Sequence, residues 1–187
     1  VPTSGAMFTA WNLIGNSFAC NVYLTNDRTN GSALPFYKMN AEGNGFEAAI
    51  GTTIAPMEGV FYEKPASTTS YQPWFTRTQP TRSSNINISL AQGSTAATID
   101  NAIIRFDDGE TMGKLSFREG SSKVYIPVEG KDLAVAQAEG QVGEFPVNFK
   151  AEEDGTYTLS FTSEEVEFSY LHLIDNLIGN DVDLLSQ

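Results

Sequence analysis

Few residues in this chain have the types and spacing that chemistry requires. His172 is the only imidazole, so it is the only general base available to a serine or cysteine nucleophile. It lies between Leu171 and Leu173, a strand pattern, and no Gly-x-Ser-x-Gly elbow accompanies it. Cys20 is the only cysteine, which rules out an intramolecular disulfide; within Phe18–Leu24 it reads as a small buried thiol. Glycoside hydrolysis would need two carboxyl groups roughly 5–10 Å apart across a cleft. Glu58, Glu63, Asp107, Asp108 and Glu110 are the candidates, although Asp107-Asp108-Gly109 is also sufficient as a turn.

Hard oxygen donors cluster near the end of the chain. Asp175, Asn180, Asp181 and Asp183 surround one loop, and a strand would point Asp181 and Asp183 the same way, a donor set suited to Ca²⁺. The spacing is not that of an EF-hand, and loop solvation with turn hydrogen bonding accounts for these residues equally well. Zinc lacks its cysteine and histidine ligands here. Tyr71 and Trp74, with Phe75, adjoin a Ser/Thr/Pro-rich loop. Exposed, such rings stack on sugars; otherwise Trp74 and Phe75 plug a core and cover a sheet edge.

The elements that must position these residues are strands. Ile86, Ile88 and Leu90 alternate with Asn85, Asn87 and Ser89, the signature of a half-buried strand. Tyr157, Leu159 and Phe161 do the same, as do Phe145, Val147 and Phe149; Val166, Phe168 and Tyr170 predict another strand after a break at Ser163–Glu165. Further strands are expected at Phe18–Leu24, Phe36–Asn40, Phe46–Ile50, Val60–Tyr62, Trp74–Arg77, Ile99–Phe106, Leu115–Phe117, Lys123–Val128 and Leu133–Ala138. No amphipathic helix and no persistent repeat is present. The fold class is therefore all-β, an antiparallel β-sandwich of jelly-roll type, with two packed β-subdomains as a variant.

At 187 residues, 41% of them hydrophobic, the chain can bury a full core as one module spanning 1–187. An internal boundary, if present, falls near 91–98, where Gly93–Thr98 is small and polar and the charge density jumps. Residues 1–100 hold 6 acids and 5 bases, whereas 101–187 hold 17 acids and 6 bases. The net charge of -12 repels phosphate, so nucleic acid and anionic membrane are poor partners. It reads as a solvated face, or more sharply as a calcium-responsive one. No apolar run approaches the roughly 18 residues of a membrane helix, so direct membrane insertion is not expected. The first residues, Val-Pro-Thr-Ser-Gly, lack a signal-peptide pattern and an initiator Met, which predicts a piece of a longer protein.

Four blocks carry a resemblance: Trp11–Phe18 (WNLIGNSF), Pro56–Phe61 (PMEGVF), Ile99–Phe106 (IDNAIIRF) and Pro146–Asp183, with PVNFKA, GTYTLSF, YLHLIDN and the start of DVDLL in order. Together they resemble a C-terminal β-sandwich module of large secreted or surface proteins of Bacteroidetes. That module follows repeat regions such as β-helices or leucine-rich repeats, and its blocks mark strands and turns. The chain departs from it at Ser17, where proline is frequent, and in stopping at Gln187, where members run on through further aromatic strands. Lost strands would leave an open sheet edge and favour self-association. The resemblance implies an extracellular or cell-surface module without catalysis, which caps, presents or anchors upstream domains of the same polypeptide. A carbohydrate-binding module using Tyr71 and Trp74 is the alternative, and a glycan hydrolase comes third.

Overall fold

The computed structural model of the chain describes residues 10–29, 31–65, 72–94, 97–115, 118 and 120–186. Among them there are fifteen strands and no helix. β1 (Trp11–Gly15), β2 (Tyr23–Thr25), β3 (Pro35–Met39), β4 (Phe46–Ile50), β5 (Gly59–Glu63) and β6 (Trp74–Thr76) come from the first part of the sequence. Four of them form an antiparallel sheet in the order β1–β5–β3–β4. Successive side chains leave opposite faces of a strand, so this sheet serves two cores. Tyr37, Ala48, Ile50 and Phe61 face one; Phe36, Ala49, Val60 and Tyr62 face the other. The second core is closed by the β2–β6 ribbon through Leu24 and Phe75.

The remainder supplies β7 (Asn85–Gln92), β8 (Thr98–Arg105), β9 (Met112–Gly113), β10 (Lys123–Val128), β11 (Lys131–Gln137), β12 (Asn148–Lys150) and β13 (Tyr157–Glu164). They pair in the order β12–β10–β11–β8–β7–β13, with β9 beside β11. β8 is buried on both faces. Its Ile103 packs with Val135 and Met112 toward the four-stranded sheet, while Ala102 and Ile104 join Ile86, Ile88, Leu90 and Val124 in a third core. The sheet curls around that third core, which brings Phe149 of β12 within 5.0 Å of Tyr157 of β13, from opposite ends of the strand order. β14 (His172–Asp175) and β15 (Asn180–Asp183) form a separate hairpin, prolonged by the Leu184 N–H donating to the Leu171 carbonyl at 2.9 Å.

The all-β, sandwich-type class read from the sequence is the class observed. One pairing departs from a purely antiparallel design: β11 runs parallel to β8, with Val135 opposite Ile103. Leu133–Ala136 is buried along its whole length, as parallel strands usually are, which is why its alanines weaken the alternation. Segment 91–98 joins β7 to β8, which pair as a hairpin, so the change in composition falls between two neighbours of one sheet.

Three local expectations are corrected. Phe18–Asn21 is not strand, and Cys20 is exposed rather than buried. The reason is Asn16, whose buried amide donates to the carbonyls of Cys20, Ile54 and Ala55 at 2.9–3.0 Å while its Oδ1 accepts the Phe18 N–H. That side chain fixes a turn where a strand was expected. Val166–Tyr170 is irregular, because Glu165 adopts φ 52° and ends β13. Phe168 still reaches the core, with its ring 5.6 Å from that of Phe106, but Tyr170 swings out to 68% exposure. The short strand expected at Leu115–Phe117 is instead Met112–Gly113, with Leu115 buried beside it; residues 116–117 lie outside the described residues.

Candidate functional site

The hairpin β14–β15 decides the geometry of the acidic cluster. Cross-strand partners share a face, and His172 is opposite Asp183, Ile174 opposite Asp181 and Asp175 opposite Asn180. Asp181 and Asp183 therefore lie on one face with His172, and Asp175 lies on the other. Asp181 meets His172 Nδ1 at 2.6 Å, and Asp183 is 4.0 Å from Nε2. The Tyr170 ring stacks on the same imidazole, 4.1 Å between centroids. Asp175 accepts the Leu177 N–H at 2.8 Å, and Asp183 accepts the Leu185 N–H at 2.9 Å. These carboxylates shape turns and hold the histidine; among the described residues no group of three His, Cys, Asp or Glu side chains is arranged to hold a metal ion.

Trp74 is partly buried on β6, and Tyr71 lies outside the described residues. Register places Trp74 beside Thr25 and Thr76 beside Tyr23 on the face of the ribbon opposite Phe75 and Leu24; Thr25 is buried there and the other three are half-buried. The guanidinium of Arg28 sits over the Trp74 ring, 5.7 Å from its centroid. A groove of about 130 Å³ opens next to it, lined largely by threonines including Thr25, Thr29 and Thr76.

Of the five hydrolase candidates, three are committed to local structure. Asp107 receives a bidentate fork from Arg105, 3.0 Å from Nε and 2.8 Å from Nη2, and a 2.6 Å bond from Ser83. Burial pushes its carboxyl up, but the Arg105 and Ser83 hydrogen bonds and the arginine charge outweigh that and leave it below the ordinary range. Asp108 accepts from Gln137, and Glu58 accepts the Ala55 N–H across the Pro56–Met57 turn. Glu63 and Glu110 share the wall of one cavity of about 740 Å³ with Trp11, Lys114 and Asp132. Glu63 there accepts the Gly113 N–H at 2.5 Å.

The feature that sequence reading missed lies behind that wall. Asp100 and Lys114 form a buried ion pair, with side chains 10% and 3% exposed. Lys114 Nζ is 2.7 Å from each carboxylate oxygen and 2.7 Å from the Asn101 carbonyl, while Asp100 Oδ2 also accepts the Val124 N–H at 2.8 Å. Burial raises the Asp100 carboxyl and lowers the Lys114 ammonium, and their mutual attraction opposes both shifts. Only the polar residue at an apolar strand position, Asp100 in IDNAII, hinted at it; its partner is fourteen residues away across a turn.

Fold and site together define an all-β, sandwich-type protein. No protein-family model, curated protein or solved structure matches this chain. Among the described residues no helix is long and apolar enough to cross a membrane.

Proposed function

We propose that this chain is a non-enzymatic β-sandwich module of a secreted or cell-surface bacterial protein, which caps, presents or anchors the region preceding it. The observation that carries this reading is where the four sequence blocks fall. Trp11–Phe18 supplies β1 and the Asn16 turn clamp; Pro56–Phe61 supplies a tight turn and β5. Ile99–Phe106 is the doubly buried β8, and the last block runs from β12 to β15. Their buried polar groups, Asn16, Asp100, Asn101 and Arg105, all hold strands or turns together. The extracellular setting rests on the resemblance. Removing the module from its parent polypeptide is expected to reduce display or stability of the upstream region and leave that region's own activity per folded molecule intact. Unchanged display with lost chemistry would overturn the proposal.

Carbohydrate binding is the second reading, favoured by the half-buried Trp74 ring on the β2–β6 ribbon and the threonine-lined groove beside it. It requires Arg28 to share or vacate the Trp74 ring. Calorimetric glycan binding that disappears in Trp74→Ala supports it, and binding indifferent to that change removes it. Self-association belongs to the leading reading too, since β1 is an outer strand of the four-stranded sheet with Asn12 and Leu13 exposed, whereas the other outer strand, β4, is covered by Asn101 of β8, which bonds both backbone groups of Ala48. Sedimentation that stays strictly monomeric over a wide concentration range counts against it.

A further inference from the structure

We propose that Asp100 and Lys114 are a site of autocatalytic amide formation, a covalent cross-link between β8 and the segment following β9. Nζ lies at 2.7 Å from both carboxylate oxygens, on the plane that bisects the group and on its oxygen side. Reaction between positioned groups needs the attacking atom about 3–3.5 Å from its target with the orbitals aligned, so the step requires the Asp100 carboxyl to turn about its Cβ–Cγ bond and present the face of Cγ to the nitrogen. The pair is shielded from water, with Val124, Leu115 and Tyr37 buried around it.

The step balances without any further reactant. A proton passes from the ammonium to the carboxylate along the existing hydrogen bond, leaving a neutral amine and a carboxylic acid. Burial favours that neutral pair, because it raises the acid and lowers the amine. The nitrogen lone pair then forms the N–Cγ bond, and charge develops on the oxygen that accepts the Val124 N–H, which stabilises it as an oxyanion donor does. The other oxygen takes the second amine proton, the C–O bond breaks, and one water departs. Lys114 borders the cavity of about 740 Å³, which gives that water an exit. The charged groups around the pair are Glu63, Lys123 and Asp132, with Tyr37 as the nearest phenol.

The test is the intact mass of the folded chain, followed by a tryptic map. The cross-linked protein is lighter than its sequence by one water, and trypsin does not cut after Lys114. Ser83–Arg105 then appears joined to Phe106–Arg118 as one branched peptide. Lys114→Arg keeps the ion pair and is expected to show the full sequence mass, as is Asp100→Ala. A wild-type protein of full mass after long incubation, with a free peptide Phe106–Lys114, overturns the proposal. So does a loss of one water confined to the unbranched peptide Ser83–Arg105, which would be a succinimide at Asp100-Asn101.

Discussion

Arg105 is completely buried, and its fork to Asp107 is what makes that tolerable. A guanidinium without its partner in such a place is costly, so Asp107→Asn is expected to lose about 2–4 kcal/mol in urea denaturation. The pH dependence has a definite sign. A carboxyl whose folded pKa lies below its unfolded value of about 3.9 contributes stability that is fully present above that value. The contribution falls as the pH drops through the folded pKa, so wild type should lose stability in this acid window more steeply than Asp107→Asn. Gly109 is the companion residue. A Cβ there would lie 2.3 Å from the Arg105 guanidinium, and the fork leaves that group nowhere to move. Gly109→Ala should therefore cost about 1–3 kcal/mol, read as a lower denaturation midpoint at unchanged slope.

At the scale of elements, Asn16 and the C-terminal hairpin show how local chemistry overrides pattern. Asn16→Ala leaves three carbonyls without the amide that now serves them, at an expected cost of about 2–4 kcal/mol. Cys20, held outward by that turn, should react with a thiol reagent in the folded wild-type protein at nearly the rate of the unfolded chain. A protected thiol would contradict the described turn. Alternation made most strands legible: β4 falls on Phe46–Ile50 as the pattern predicts, and β7, β8 and β10 lie within two residues of their expected ends. What alternation cannot carry is a side chain that outcompetes the ladder for hydrogen bonds, as Asn16 does, or a positive φ such as that of Glu165. Pairing of distant polar groups was equally hidden. Asp181 and Asp183 could be placed on one face from spacing alone, but Asp175 on the opposite face follows only from the hairpin register.

At the scale of the molecule, the three cores are joined through sheets buried on both faces, so stability is expected to be unevenly spread. Ile88 lies in the third core at 1% exposure, and Ile88→Ala should lose about 2–5 kcal/mol. Leu177, at the tip of the β14–β15 hairpin, is 92% exposed, and Leu177→Ser should change stability by less than about 0.5 kcal/mol. Equal effects at the two sites, measured by chemical denaturation, would mean that the hairpin packs against the body of the protein. A cross-link between Asp100 and Lys114 would close a ring of about 15 residues and, by analogy with a disulfide of that span, add about 3 kcal/mol.

The proposed role is structural rather than catalytic. Glu63 and Glu110 are the two hydrolase candidates that line one cavity. The most direct measurement is turnover by the isolated chain on glycan and peptide libraries, run beside Glu63→Gln and Glu110→Gln. No rate above buffer is expected for any of the three. A saturable rate in wild type that collapses in either variant would contradict the proposed role.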